Sequence, residues 1–236
     1  MVRVLSIMSA RVGSRAVLRL TSLIAALVAV PAMGSPYWVH WDASQGYPED
    51  NGWERVHSDP PAQRWFDNGA FFIDSRQEWG ITDWSRMSFP GIGTLGPGET
   101  FIMRWNLKVD YSSTLFGDPG VHVISDDLYA VAFIISDQRI YSVCESDKWA
   151  DIEPGQFHEF ELRSSDMRSY ELDIDGTEAL SGTFFDGIAS RRVEWGDIST
   201  DLGLSEWNWA EFGIIPEPTG FSSVVLLALL RRRWES

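Results

Sequence analysis

The chain has 236 residues, with 19 basic and 34 acidic side chains and a formal net charge of -15 at pH 7. A surface of that sign repels phosphate backbones, so the composition excludes nucleic acid as a partner and leaves cations and neutral ligands. Hydrophobic residues make up 44% of the chain and 12 residues are tryptophan, which excludes a disordered acidic tail and predicts a folded core.

The first 34 residues have the organisation of a signal peptide. An uncharged apolar stretch, 20–30, follows four basic residues, Arg3, Arg11, Arg15 and Arg19. As a helix this stretch spans about 16 Å, roughly half of a hydrocarbon core, which argues against a permanent membrane span. The small residues Ala32 and Gly34 fit the spacing that signal peptidase accepts. We therefore predict export, with signal peptidase as a partner and cleavage after Gly34.

Beyond the leader, apolar residues recur at every second position, which is typical of strands. In FIMRWNLKV, 101–109, the odd-numbered residues are apolar, and Arg104, Asn106 and Lys108 face the other way. YAVAFIIS, 129–136, is nearly all apolar, as in a central strand. RIYSV, HEFEL and YELDI, starting at residues 139, 158 and 170, give further strands. Asp137-Gln138 and Asp175-Gly176 are predicted hairpin turns.

Glycine and proline separate these short strands, for example in 90–99 and 116–120, and no stretch has a sustained helical period. This pattern predicts an all-β fold, an antiparallel two-sheet β-sandwich with tryptophans between its sheets. Residues 35–215 form a single predicted domain, which holds 12 basic and 32 acidic residues.

Three segments resemble the concanavalin A-like (laminin-G-like) jelly roll. GQFHEFELRSSDMRSYELDIDGTEALSG, 155–182, is similar to its paired strands, and VEWGDISTDLGLSEWNWAEFGI, 193–214, is similar to its closing strands. GYPEDNGWERV, 46–56, resembles the entry segment of bacterial envelope members. The resemblance implies a jelly roll, and binding members of the superfamily often use one Ca²⁺.

One strand carries carboxylates at alternate positions, Glu171, Asp173 and Asp175. The pattern resembles the Glu-x-Asp-x-Glu signature of jelly-roll glycoside hydrolases, which implies Glu171 as nucleophile, Asp173 as its modulator and Asp175 as acid/base. The alternative is an exposed strand face that leads into the Asp175-Gly176 turn, without chemistry. We favour the second interpretation and expect no catalytic residues.

Oxygen ligands of the kind that Ca²⁺ takes occur at Asp118, at Asp126-Asp127 and in the loop 48–51, Pro-Glu-Asp-Asn. No complete calcium loop is present, so the sequence does not locate a Ca²⁺ site. Ca²⁺ is still the one candidate cofactor. Zinc is not indicated, because the four histidines lack the spacing of a zinc site and are interpreted as satisfied strand or loop residues: His40, His57, His122 and His158. The single cysteine, Cys144, is interpreted as a buried, inert thiol.

Aromatic side chains in turn-rich segments are a further source of ligand contacts, because indole faces stack on sugar rings. Five are candidates for such exposed positions: Trp38, Trp41, Trp53, Trp79 and Trp84. Core or edge packing is the alternative for each of them, and we favour it over ligand contact.

The tail combines Pro216, Glu217 and Pro218, an apolar run at 221–230, and a basic cluster at Arg231, Arg232 and Arg233. This order strongly resembles the PEP-CTERM sorting signal of Gram-negative bacteria. The resemblance implies transient anchoring in the inner membrane, cleavage of 216–236 by an exosortase, and delivery to the cell surface or extracellular matrix. The run is short for such a signal, because ten residues reach only about 15 Å as a helix.

The sequence therefore leaves three functional hypotheses. The first is a non-enzymatic exported protein that binds glycans, such as extracellular polysaccharide, or other matrix components. The second is a glycoside hydrolase or lyase that uses Glu171, Asp173 and Asp175. The third is a structural matrix protein without a specific ligand.

Overall fold

The computed structural model describes residues 37–89, 95–114, 119–124, 129–143, 145, 147–186 and 191–216. These residues form sixteen strands and two 3₁₀ turns, Ala43–Gln45 and Pro48–Asn51. In chain order the strands are β1 (Tyr37–Asp42), β2 (Glu54–His57), β3 (Gln63–Asp67), β4 (Ala70–Asp74), β5 (Asp83–Ser88), β6 (Glu99–Ser112), β7 (Pro119–Ile124), β8 (Tyr129–Ile135), β9 (Arg139–Ser142), β10 (Trp149–Asp151), β11 (His158–Ser164), β12 (Ser169–Ile174), β13 (Thr177–Thr183), β14 (Phe185–Asp186), β15 (Arg192–Asp197) and β16 (Gly203–Pro216).

The strands form two antiparallel sheets. Sheet 1 has the order β13-β12-β11-β6-β16-β4-β3. β1 also pairs with β16, next to β4 and on the same side of β16. Sheet 2 has the order β10-β9-β8-β7-β15-β5-β2, and β14 pairs with β8. The inner faces of the two sheets enclose a shared hydrophobic core. The predicted two-sheet β-sandwich of the jelly-roll type is confirmed.

The centre of sheet 1 shows why these residues form strands. In β6 the apolar Met103, Trp105 and Leu107 are buried between the sheets, whereas Arg104 and Lys108 lie on the outer face. The neighbouring strand β16 pairs with β6 along its whole length, with register shifts at 204/205 and between 207 and 209. The second shift changes the alternation, so that Trp207 and Ala210 are both buried.

Aromatic residues fill the middle of the core. Trp195 of β15 is fully buried, and its ring centroid lies 4.7 Å from that of Trp41, 5.7 Å from that of Trp53 and 4.9 Å from that of Trp207. Trp41 and Trp53 are therefore core residues, as favoured above, and are not available for ligand contact. Trp41 is in β1 and Trp53 follows a 3₁₀ turn, and both segments fold against the inner faces of the sheets.

Both predicted hairpin turns are present. Backbone nitrogen of Ser136 donates to the Arg139 carbonyl at 2.7 Å and closes the turn between β8 and β9. Asp175 and Gly176 connect β12 and β13 with φ values of 51° and 76°, the positive φ angles that this type of hairpin requires.

The predicted signal peptide, 1–34, Cys144 and the tail residues 217–236 lie outside the described residues. Within the described ranges, no helix combines the length and the apolar character that a membrane crossing needs.

Candidate functional site

The outer face of sheet 1 is unusually rich in charged side chains. Strand alternation turns the polar residues of β6, β11, β12 and β16 away from the core, and the antiparallel registers bring them side by side. Glu211 of β16 lies opposite Arg104 of β6, which lies opposite Glu161 of β11, which lies opposite Asp173 of β12. One line of charges therefore crosses four strands.

Ion pairs join these residues into what we call the charge row: His40, Glu211, Arg104, Glu161, Arg163 and Asp173. Nδ1 of His40 lies 2.9 Å from Glu211, and Nη1 of Arg104 lies 3.7 Å from the other oxygen of Glu211. Glu161 pairs with both arginines, and Nη2 of Arg163 reaches Asp173 at 2.9 Å.

Trp38 lies at one end of the charge row, flat on the sheet. A Cβ atom on Gly213, its partner across β1 and β16, would overlap the Tyr37 carbonyl oxygen and the Trp38 indole, so β1 and the ring occupy the space of the missing side chain. Its Nε1 donates to Glu211 at 3.0 Å. The ring is half-buried and held in one orientation, as a platform for a flat ligand would be.

A cleft of about 580 Å³ opens at the other end of the charge row. Three of its walls come from one cross-strand line, Arg163 of β11, Glu171 of β12 and Ser181 of β13. Lys148, which precedes β10 of sheet 2, and Gly182 also line it. The lining is dominated by hydroxyl side chains: Thr100, Ser164, Ser165, Ser169, Tyr170, Ser181 and Thr183.

A hydrogen-bonded group stiffens the Lys148 side of the cleft. Glu145 accepts from Lys148 at 2.9 Å and from the Tyr170 hydroxyl at 2.9 Å, and Lys148 also donates to the Ser181 carbonyl at 2.7 Å. Burial opposes ionisation of Glu145, but the hydrogen bonds from Lys148 and Tyr170 outweigh it and lower its pKa. The Lys148 charge is thus already neutralised by the protein.

A second acidic group lies on the outer face of sheet 1, beyond Asn106. Lys108 contacts Glu206 and lies 3.1 Å from Asp110. Burial and the hydrogen bond with Asp110 raise the pKa of Glu206 to about 7, against the effect of Lys108. Glu206 is therefore protonated in part of the protein population near neutral pH.

The outer face of sheet 2 holds a buried ionic cluster that sequence reasoning missed. Oε1 of Glu194 lies 2.7 Å from Nε of Arg86 and 2.8 Å from Nε of Arg192, and Oε2 lies 3.1 Å from Nδ1 of His122. Burial opposes ionisation of Glu194, but His122 and Arg86 lower its pKa overall. Glu194 and His122 are polar residues between apolar neighbours, which was a visible signal. The pairing of β5, β15 and β7 that unites them was not.

Comparison with solved structures supports the same architecture. The chain is similar to a carbohydrate esterase from the Shiga toxin-encoding bacteriophage phi24B, with 12% identity and a TM-score of 0.55 over 77% of this chain and 100% of that one. It is also similar to a protein of unknown function from Shewanella oneidensis MR-1, with 12% identity and a TM-score of 0.50 over 92% and 98% of the two chains. The Crh5 transglycosylase in complex with NAG gives 11% identity and a TM-score of 0.51 over 79% and 89%.

These similarities establish the fold. No family model matches the chain, and no curated protein matches its sequence.

The structure separates the three carboxylates of the hydrolase-like pattern. Glu171 and Asp173 both lie on the outer face, Glu171 in the cleft and Asp173 in the charge row. Asp175 lies in the hairpin turn, where it accepts from the backbone nitrogen of Glu159 at 2.9 Å and lies 2.7 Å from Nδ1 of His158. Burial opposes ionisation of Asp175, but these two hydrogen bonds lower its pKa. Asp175 therefore stabilises the turn.

Some of the predicted calcium ligands lie within the described residues, and the others lie outside them. Asp118, Asp126 and Asp127 lie outside the described residues. The segment 48–51 forms a 3₁₀ turn, in which Glu49 pairs with Arg64 at 2.6 Å. Among the described residues, no group of three or more His, Cys, Asp or Glu side chains is arranged to hold a metal ion. The calcium site stays a prediction.

The remaining candidate residues are dispersed over the sandwich. Trp79 is 59% exposed, and Trp84 is half-buried on the outer face of sheet 2. His57 lies 2.6 Å from the Ser58 carbonyl, and the contacts of the other three histidines are given above. Neither tryptophan adjoins the cleft lining.

Proposed function

We propose that the sandwich is a non-enzymatic carbohydrate-binding domain that uses the outer face of sheet 1. The observation that carries this proposal is the hydroxyl-lined cleft at the end of the charge row. Its volume of about 580 Å³ falls within the range of small-ligand sites, about 300 to 1,000 Å³.

The lining selects for polar ligands. Seven of the eleven lining residues carry a hydroxyl group, and every lining side chain ends in a polar group, so a ligand in the cleft meets hydrogen-bonding groups on each wall. Hydroxyl, guanidinium and carboxylate groups together can both donate to and accept from the hydroxyls of a sugar. The charge row and Trp38 extend the polar surface along the direction that crosses the strands.

The structural neighbours are consistent with this proposal. Two of them are named for carbohydrate chemistry, the phage esterase and the Crh5 transglycosylase. Because one fold can host many functions, the proposal depends on the site itself, and the neighbours only add support to it.

Binding is favoured over hydrolysis because the carboxylates of the cleft have other roles. Asp173 lies in the charge row, ion-paired with Arg163, and Asp175 is bonded in the turn. Glu171 alone cannot supply both the nucleophile and the acid that glycoside hydrolysis requires.

A glycan array probed with the purified protein tests the proposal. We expect binding to polysaccharide fragments, weakened by Trp38→Ala and by Arg163→Ala and unchanged by Glu54→Gln on sheet 2. The absence of any glycan binding would favour the structural-protein hypothesis. Polysaccharide cleavage that disappears in Glu171→Gln would make the protein an enzyme.

We also propose that the domain is exported and sorted to the cell surface or matrix. The proposal depends on the leader, 1–34, and on the tail, with its Pro216-Glu217-Pro218 motif and its arginine cluster. Replacing Arg231, Arg232 and Arg233 with Ser should leave the protein uncleaved or misplaced, as seen by fractionation and intact mass. An unchanged mass and location would contradict the sorting step.

A further inference from the structure

The cleft has an asymmetric charge distribution that narrows the class of sugar it can bind. Arg163 is surrounded by three carboxylates: it contacts Glu161, lies 2.9 Å from Asp173, and is close enough to Glu171 for that charge to raise its pKa further. Because Glu161 is shared with Arg104, two guanidinium groups face three carboxylates at this wall of the cleft, which leaves a negative charge without a partner.

The other cation of the cleft is also neutralised. Lys148 is held between Glu145 and the Ser181 carbonyl, at 2.9 and 2.7 Å. A carboxylate or sulfate group on a ligand would have to displace one of these existing partners, and it would meet an excess of negative charge. Uronic acids and sulfated sugars are therefore disfavoured.

Glu171 is the acidic group that remains available. Its side chain is exposed on the cleft wall, and among the described residues it makes no hydrogen bond. The hydroxyl groups of Ser165, Ser181 and Thr183 likewise have no hydrogen-bond partner within the described part of the chain. The cleft therefore offers one carboxylate acceptor and several hydroxyl groups that can bond to a ligand. A sugar with one ammonium group among its hydroxyls carries the complementary groups.

We propose that the cleft binds an amino sugar with a free amine, whose ammonium group pairs with Glu171 while its hydroxyls bond to Ser165, Ser181 and Thr183. This inference rests on the proposed glycan-binding function and specifies its ligand class. The strongly acidic domain, with 12 basic and 32 acidic residues in 35–215, would also attract a polymer of such sugars over long range.

Calorimetric titration of the full protein with four oligosaccharides of equal length tests the proposal. The ligands are oligomers of glucosamine, N-acetylglucosamine, glucose and glucuronic acid, at mildly acidic pH where the amine is protonated. We expect glucosamine oligomers to bind about tenfold more tightly than the two neutral ones, as for one charge-assisted hydrogen bond. The preference should weaken as salt is added.

Glu171→Gln should abolish the preference and keep the neutral binding. Glu54→Gln, which removes one exposed carboxylate from sheet 2, should leave the preference intact. Equal affinity for amine-bearing and neutral oligomers, tighter binding of the uronate, or a preference that survives Glu171→Gln overturns this inference and leaves the glycan-binding function standing. Failure of all four oligomers to bind overturns the function and the inference together.

Discussion

Glu206 makes the stability of the sandwich depend on pH near neutrality. Its side chain is 12% exposed, contacts Lys108, and has a pKa raised from 4.5 to about 7. A raised carboxyl pKa means that the folded state holds the proton more tightly than the unfolded state does. The resulting stabilisation is fully present below about pH 4.5 and is lost as pH rises through about 7.

The magnitude follows from that interval. At about 1.4 kcal/mol for each pH unit, a rise from 4.5 to about 7 corresponds to about 3 kcal/mol. Because Asp110 is 30% exposed, water screens part of the repulsion between the two carboxyl groups, and we expect about 2 kcal/mol to be measured.

The assay is urea unfolding of the wild type and Glu206→Gln from about pH 4 to 8.5. Other acidic groups titrate in both proteins, so the difference between the two unfolding free energies isolates Glu206. It should shift by about 2 kcal/mol in favour of the glutamine variant as pH rises. Asp110→Asn should reduce the pH dependence, since Asp110 helps to raise the pKa. A difference that stays constant across the pH range would refute this reasoning.

Three further predictions concern stability. Glu194→Ala should lower the free energy of unfolding by about 3 kcal/mol, because it leaves the partly buried Arg86 without its counterion; a loss below about 1 kcal/mol in urea titration would contradict this. Gly213→Ala should cost about 1 to 3 kcal/mol, because its new Cβ would overlap the Tyr37 carbonyl oxygen and the Trp38 ring; an unchanged melting temperature would contradict this close packing of β1 on β16. Trp195→Ala should cost about 3 to 5 kcal/mol, because it empties the centre of the aromatic core, and calorimetry that finds a smaller loss would argue against this packing.

The strands that could be predicted from the sequence are those with one buried and one polar face. In β6 the alternation around Arg104 gave both the strand and its inward face, because burial of one side of a sheet imposes a period of two. The Asp175-Gly176 turn was also predictable, because few residue pairs accept two positive φ angles.

Other features depend on contacts between distant parts of the chain. Trp41 and Trp53 look like loop aromatics in the sequence, but tertiary packing places both against Trp195, more than 140 residues later. The shift of alternation in β16 comes from an irregularity that no periodic pattern reveals.

The candidate site was predicted only in part for the same reason. Glu171 and Asp173 were identified by their spacing, yet their roles differ because Arg163 of the neighbouring strand pairs with Asp173 and leaves Glu171 facing the cleft. Arg163 lies opposite Glu171 in the strand register but reaches diagonally to Asp173, so the direction of one side chain, which local sequence does not encode, decided which carboxylate is available.

The pairing of the first strand with the last determines how the domain responds to mechanical load. Tyr37 lies opposite Ile214, so the ends of the sandwich leave from neighbouring positions. Tension applied between the two ends would open β1 from β16 one hydrogen bond at a time, which is the weak, unzipping direction for a strand pair. A domain held only at its C-terminal end carries no tension between β1 and β16. Drag on a bound polymer would then pass through β16 and its long contact with β6.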